Sequence, residues 1–355
     1  MLHPRQVLHG AQIGAALLPV CDHYSGTPER MRKSLALQAE MTQEFGRCVF
    51  DVTLDCEDGA PVGGEREQAH RVAALALEHA SITAGGRRLN RVGARVHPLN
   101  HPAFSEDVQA IVGTAANALD YLMLPKVESV ADVDAALVSI DQAAARTRAD
   151  AGLPVLPVHV LIESPCALAH AGAIAQHPRV ESLSFGLMDF VSAHGGAIPA
   201  SAMSFDATGP GGFDQFSHPL VLRAKLEIAA ACHAHAKVPS HCVVTEFRDV
   251  ASLERAAQQA AQGLGFTRMW SIHPDQIRPI LRAFRPSAQL LEQAQRIIEA
   301  ALAQDWAPVA VDGVLHDRAS YRYFWSLIET AHRSGVKLAP SMQTWLREPA
   351  DGVAH

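Results

Sequence analysis

The chain has 355 residues, 48% of them hydrophobic, and a formal net charge of −7. Such a composition can bury one large core and excludes a disordered or coiled-coil chain. With no long block of Lys or Arg a nucleic-acid partner is not expected, and with neither a basic-then-apolar N-terminus nor an apolar run long enough for a bilayer, a cytoplasmic protein without membrane contact is.

In chain order, a first strand is expected around residues 15–20. Thr27-Pro28 followed by helical periodicity then predicts a helix over residues 28–37, which returns the chain to the next strand. Strand-like runs follow at residues 49–54, 93–96, 121–124, 158–162, 182–187, 241–245 and 269–272, with Ala-rich helical patterns between them. About eight parallel strands favour a (β/α)8 TIM barrel over an open doubly wound sheet. No Gly-x-Gly-x-x-Gly follows the first strand, as a dinucleotide-binding sheet would require. Residues 195–219, rich in Gly, Pro and Ser, read as a long loop, either covering the catalytic face or a passive insertion. The barrel domain is assigned to residues 1–285 and a C-terminal helical extension to 286–355. Beyond the last strand a helical region opening at Asp275-Gln276-Ile277 runs past Leu302, and Val311-Asp312-Gly313-Val314-Leu315-His316-Asp317 breaks it before another helix. The six cysteines show no Cys-x-x-Cys spacing and read as reduced core residues, not as disulfides or a zinc site.

Charged residues gather at the strand ends. Asp55, Glu57 and Asp58, then Arg95, then Lys126 and Glu128, then Glu163, then Asp189 each follow an apolar run. In a parallel barrel every strand C-terminus opens on one face, so these groups can converge. Glu163 and Asp189, from consecutive strands, offer the hard oxygen ligands with which Mg²⁺ is usually held, although each alone also reads as a helix cap or an ion-pair partner. Arg95 keeps its charge at any working pH, so it suits a carboxylate or a developing oxyanion; the competing reading is a structural ion pair with Asp55 or Asp58. Strand alternation sets Asp55 and Glu57 on one side and Asp58 on the other, so the three acids cannot all face one cavity. His273, in Ser271-Ile272-His273-Pro274, ends the last strand and either touches substrate or holds a neighbour.

Six motifs carry a resemblance: Leu54-Asp55-Cys56-Glu57-Asp58-Gly59-Ala60, Ala94-Arg95-Val96-His97, Leu124-Pro125-Lys126-Val127-Glu128-Ser129, Ile162-Glu163-Ser164, Phe185-Gly186-Leu187-Met188-Asp189, and the run from Gly265-Phe266 to His273-Pro274-Asp275-Gln276. In this order they resemble the citrate lyase beta-subunit and malyl-CoA lyase family of the HpcH/HpaI aldolase superfamily. The resemblance implies a carbon–carbon lyase with Mg²⁺ as cofactor, cleaving or forming a 3-hydroxyacyl-CoA thioester such as citryl-CoA or malyl-CoA. The products would be an acyl-CoA and a small 2-keto acid. It implies Glu163 and Asp189 as metal ligands and Arg95 as the contact to the keto acid and its oxyanion; Lys126 and His273, from their places at strand ends, are expected as further substrate contacts. For proton transfer it implies Glu57, Asp58 or Asp317, the last from a C-terminal segment that reaches a neighbouring subunit in a homotrimer or hexamer. The chain departs from the family in three places, one of them Gly63-Gly64-Glu65-Arg66, where relatives commonly place a lysine. Residues 13–19, compared with the family's first strand, carry no arginine, and Val238-Pro239-Ser240-His241 lacks the Asp-Gly pair of the seventh. A CoA-independent 2-keto acid aldolase and a catalytically silent citrate-lyase-like subunit therefore remain as alternatives.

Overall fold

The structure is a computed structural model that describes residues 3–9, 17–80, 89–205 and 211–346. Its residues divide into two compact units, one spanning Leu18–Ala283 and the other formed by residues 1–17 with 284–355.

The first unit is a closed barrel of eight parallel strands in sequence order, with helices between them: the (β/α)8 TIM barrel. The strands are β1 (Cys21–Ser25), β2 (Phe50–Asp55), β3 (Val92–Arg95), β4 (Tyr121–Leu124), β5 (Val158–Ile162), β6 (Val180–Phe185), β7 (Val238–His241) and β8 (Arg268–Ser271). Helix ends follow the local chemistry. Pro28 opens the helix Pro28–Phe45 and Gly46, at φ 68°, closes it in the left-handed conformation. Ser129 and Asp132 form a capping box at the start of Val130–Asp150.

Two strands lie away from their expected places. The first is Cys21–Ser25 and not residues 15–20, of which 15 and 16 fall outside the described residues. Its polar letters hid it because they pair inside the barrel. Asp22 and Asp51 flank the fully buried Arg268, with Nη2 2.9 Å from Asp22 Oδ2 and Nη1 2.8 Å from Asp51 Oδ2. Thr53 Oγ1 and Tyr121 Oη donate to Asp22 Oδ1 at 2.7 and 3.1 Å. The seventh strand begins three residues early and includes Pro239, which has no N–H to give to the ladder but whose carbonyl still accepts from Thr267 N–H at 3.2 Å. Above the charged layer, Tyr24, Met123, Leu161 and Trp270 fill the barrel as an apolar layer.

The second unit has its own core around Trp325, Tyr321, Ile297 and Ile328, and the helix Pro4–His9 joins it through Leu8. The sequence division had placed that N-terminal segment with the barrel. The helical region after Asp275 is two helices, Pro274–Ala283 and Ala288–Ala303, the second capped by Ser287. Residues Val309–Val311 and Val314–His316 form a two-stranded antiparallel hairpin. All six cysteines are free; Cys21, Cys56, Cys232 and Cys242 are buried, but Cys166 is exposed and so not a core residue. Among the described residues no helix is long and apolar enough to cross a membrane.

Candidate active site

Strands β2 and β3 end in register, with Asp55 opposite Arg95. The Arg95 fork grips Asp55 with both prongs, Nε to Oδ1 at 2.7 Å and Nη2 to Oδ2 at 2.5 Å. Its third nitrogen, Nη1, lies 2.8 Å from Glu57 Oε2. The carboxylate of Asp55 is fixed in turn by the backbone N–H groups of Glu57 and Gly59 at 3.0 and 2.9 Å. Position 59 must be glycine for that approach, since a Cβ there would lie 2.2 Å from Asp55 Oδ2. The guanidinium also sits over the Tyr24 ring, 5.3 Å from its centroid. Burial opposes the Arg95 charge, but Asp55 and then Glu57 outweigh it and hold the group firmly protonated.

Glu57 continues the network across the barrel mouth, because its other oxygen, Oε1, accepts from Lys126 Nζ at 2.6 Å. Burial works against the Lys126 ammonium too, yet Glu57 raises its pKa well above the ordinary value. Lys126 occupies the turn after β4 at φ 52°, a left-handed conformation uncommon for a side-chain-bearing residue. That turn aims its backbone N–H at Glu163 Oε1, 2.5 Å away. Glu163, just past β5, is 6% exposed, and burial with the nearby negative charge of Asp189 pushes its pKa up to about 8. Asp189 stands half-buried in the first turn of the helix Leu187–Ser192 that follows β6. Gly186, between them in sequence, lets the chain press against Glu163: a Cβ on it would meet Glu163 Cβ and Oε2 at 2.6 Å.

The structure thus gathers Glu57, Arg95, Lys126 and Glu163 into one bonded cluster with Asp189 in electrostatic reach. Three further residues given roles in the sequence lie at the edge of this cluster or outside it. Asp58 is exposed at the edge, 3.5 Å from Lys126 Nζ. His273 is half-exposed, stacked on Phe247 with centroids 4.7 Å apart and 3.6 Å from Asp275 Oδ2, outside the bonded cluster. Asp317 belongs to the second unit, where it caps the helix Arg318–Arg333 by accepting from Ala319 N and Ser320 N. Sequence reasoning left His97 and Asp107 unassigned. Asp107 is fully buried and accepts from the His97 backbone N–H at 2.8 Å, with His97 Nδ1 at 2.7 Å from the same oxygen. The spacing Arg-x-His at a strand end was the available signal, since alternation sets residue 97 on the side of residue 95.

A buried and a half-buried carboxylate on consecutive βα turns, beside a fixed guanidinium, can chelate a divalent cation and bind an acid next to it. Among the described residues no group of three or more His, Cys, Asp or Glu is arranged to hold a metal.

The family model described as HpcH/HpaI aldolase/citrate lyase matches residues 34–274. An L-malyl-CoA/beta-methylmalyl-CoA lyase from Cereibacter sphaeroides is 31% identical over 289 residues, covering 76% of this chain and 84% of its own. The crystal structure of a citrate lyase from Burkholderia xenovorans is 44% identical with a TM-score of 0.76, covering 98% of this chain and 100% of that one. The protein CitE from Mycobacterium tuberculosis, solved with magnesium, acetoacetate and coenzyme A, shares the fold at 20% identity and a TM-score of 0.61, covering 88% of this chain and 98% of that one.

Proposed function

Because the chain belongs to the HpcH/HpaI aldolase/citrate lyase family, a family of carbon–carbon lyases, we propose that it cleaves, or in reverse forms, a 3-hydroxyacyl-CoA thioester bearing a carboxylate, such as citryl-CoA or malyl-CoA, with Mg²⁺ as cofactor. The products are an acyl-CoA and a small 2-keto acid. The observation that carries this reading is the Asp55–Arg95–Glu57–Lys126 network, set at the barrel mouth and joined to Glu163 beside Asp189.

Glu163 and Asp189 are the residues that would hold Mg²⁺, and the donor set fits, being hard carboxylate oxygens that leave positions for water and a chelating substrate. Bound there, the ion would supply Lewis-acid polarisation of the keto acid's chelating edge. Arg95, with its direction set by Asp55 and Glu57, binds the acid's carboxylate and faces the charge that develops as the bond breaks. In cleavage a base takes the proton of the 3-hydroxyl, the carbon–carbon bond breaks, and the electron pair passes into the thioester enolate, which is then protonated. Both Glu57 oxygens are engaged with cations, so its part is to position Arg95 and Lys126. Proton transfer falls to Asp58, exposed at the mouth, or to Asp317 contributed in a homo-oligomer. Lys126 is the further substrate contact within the cluster, and His273 one at its margin.

One feature favours the CoA-independent aldolase as a second reading. Neither β1 nor the described stretch before it carries an arginine or lysine, and β7 carries no carboxylate. Purified protein, Mg²⁺ and acetyl-CoA or propionyl-CoA mixed with a pool of 2-keto acids separates the two by mass spectrometry. The lyase forms a new Mg²⁺-dependent acyl-CoA, lost in Arg95→Ala and Asp189→Ala. No adduct under any pairing, with keto acids still condensing among themselves, replaces it with the aldolase.

A further inference from the structure

A cavity of about 140 Å³ opens between the loop after β3 and the loop after β4. Lys126 forms part of its wall, so the cavity adjoins the charged cluster, the same residue reaching Glu57 through Nζ and Glu163 through its backbone N–H. Leu99, Phe104, Leu124 and Val127 give it an apolar lining. His97 also lines it, and only one side of that ring is committed.

The Asp107 carboxylate lies 2.7 Å from Nδ1, which fixes the proton there and leaves Nε2 as the ring nitrogen available to a ligand. Among the described residues Nε2 has no hydrogen-bond partner. His101 stacks on the ring with centroids 4.4 Å apart, which holds the ring plane. The hydrogen bond that Nδ1 donates to Asp107 raises the His97 pKa against the effect of burial. Lys126 adds a cation to the wall. The two acids that line the cavity have oxygens already engaged: Glu128 Oε2 accepts from Ser164 Oγ at 2.6 Å, and Asp132 Oδ2 accepts from the backbone N–H groups of Glu128 and Ser129 at 2.9 Å. The volume is roughly that of a cavity able to take a benzene ring, which suits a short methylene chain and its terminal group.

We propose that this cavity is the subsite for a second, distal carboxylate on the 2-keto acid half of the substrate, and that His97, donating through Nε2 and held by Asp107, is the specificity-determining residue. Methylenes of the acid then pack on Leu99, Phe104 and Val127 while its reacting end stays with Arg95. The inference rests on the lyase reading, and two measurements keep the two apart. In the first, ¹H–¹⁵N spectra of the histidine rings follow titration with a dicarboxylate such as succinate and, in parallel, with acetate. A shift of the His97 Nε2 resonance with succinate at concentrations where acetate produces none supports the subsite whether or not the protein turns over; equal response or none overturns it. In the second, the ratio of kcat/KM for oxaloacetate to that for pyruvate is compared in wild type and His97→Gln. Loss of the imidazole and its Asp107-held geometry lowers that ratio about tenfold. An unchanged ratio in an active enzyme overturns the role of His97 and leaves the lyase reading standing, whereas absence of any acyl-CoA product overturns the lyase reading and leaves the spectra to decide the subsite.

Discussion

Gly186→Ala is the sharpest test of the carboxylate pair, because it changes one methyl group and no charge. Gly186 has φ −88°, which alanine adopts without strain, so the effect is steric alone. The new Cβ would stand 2.6 Å from both Glu163 Cβ and Glu163 Oε2, about 0.8 Å inside the 3.4 Å at which ordinary contact begins. Neither neighbour yields freely. Gly186 N–H is bonded to the Ile162 carbonyl at 3.0 Å, which ties the two strand ends together, and Glu163 Oε1 is tied to Lys126 N–H. The carboxylate must therefore swing away from its place beside Asp189. Displacing a ligand by most of an ångström costs about 10- to 100-fold in metal affinity, and a comparable misplacement costs about 100-fold in rate. Mg²⁺ titration by calorimetry, with kcat/KM measured at saturating Mg²⁺, reads both. Overpacking of this kind also costs about 1–3 kcal/mol of stability, so a thermal melt confirms that the variant is folded. A folded Gly186→Ala protein that binds Mg²⁺ and turns over like wild type would refute the assignment of Glu163 as a ligand.

Lys225→Met should stabilise the protein at neutral pH. Lys225 is fully buried, donates to Gln215 Oε1 at 2.7 Å and lies 3.9 Å above the Phe216 ring centroid, and burial drives its pKa down to about 8. A lysine whose folded pKa lies below its unfolded value destabilises the fold in full below pH 8, and the penalty fades as the pH rises from 8 to 10.5. Removing the charge gains up to about 3 kcal/mol at pH 7 and close to nothing above pH 10.5. Urea melts at the two pH values check it; an equal gain at both would show that packing, not charge, is responsible.

Most of the barrel was legible because parallel strands buried on both faces read as short apolar runs. Strands β2 to β6 and β8 stand within two residues of the places their sequence marks. Where the reading missed, the barrel interior was polar. Asp22 makes β1 look like loop on one face, and only the spatial arrival of Arg268, from more than two hundred residues away, neutralises it together with Asp51 of β2. The site was legible for a related reason, since a charge at the end of an apolar strand has no core to enter and must face the mouth. What the sequence left open was the pairing. Whether Arg95 answers to Asp55 or Asp58 depends on the register of β2 against β3, and the structure gives both prongs to Asp55. The role of His97 was hidden for the same reason, because its partner Asp107 lies ten residues on, in a helix that alternation along the strand does not reach.

That pairing also narrows the search for the proton-transfer group. A base must take a proton without giving up its partners, and Glu57 holds Arg95 with one oxygen and Lys126 with the other, so protonating it would break an ion pair. Asp58 and Asp317 remain, and Asp317 can be isolated cleanly because its structural duty is known. Its Oδ1 accepts from Ala319 N at 2.9 Å and Ser320 N at 3.3 Å as a helix cap. Asparagine caps a helix about as well as aspartate but cannot take up a proton, whereas alanine loses roughly 1 kcal/mol of cap as well. Asp317→Asn should therefore keep the melting temperature of wild type and, if Asp317 transfers the proton, lose on the order of 100-fold or more in kcat. Asp317→Ala should lose both. Full activity in Asp317→Asn would remove Asp317 from the chemistry and leave Asp58 as the base, a result that Asp58→Asn would then have to match with the same loss in kcat.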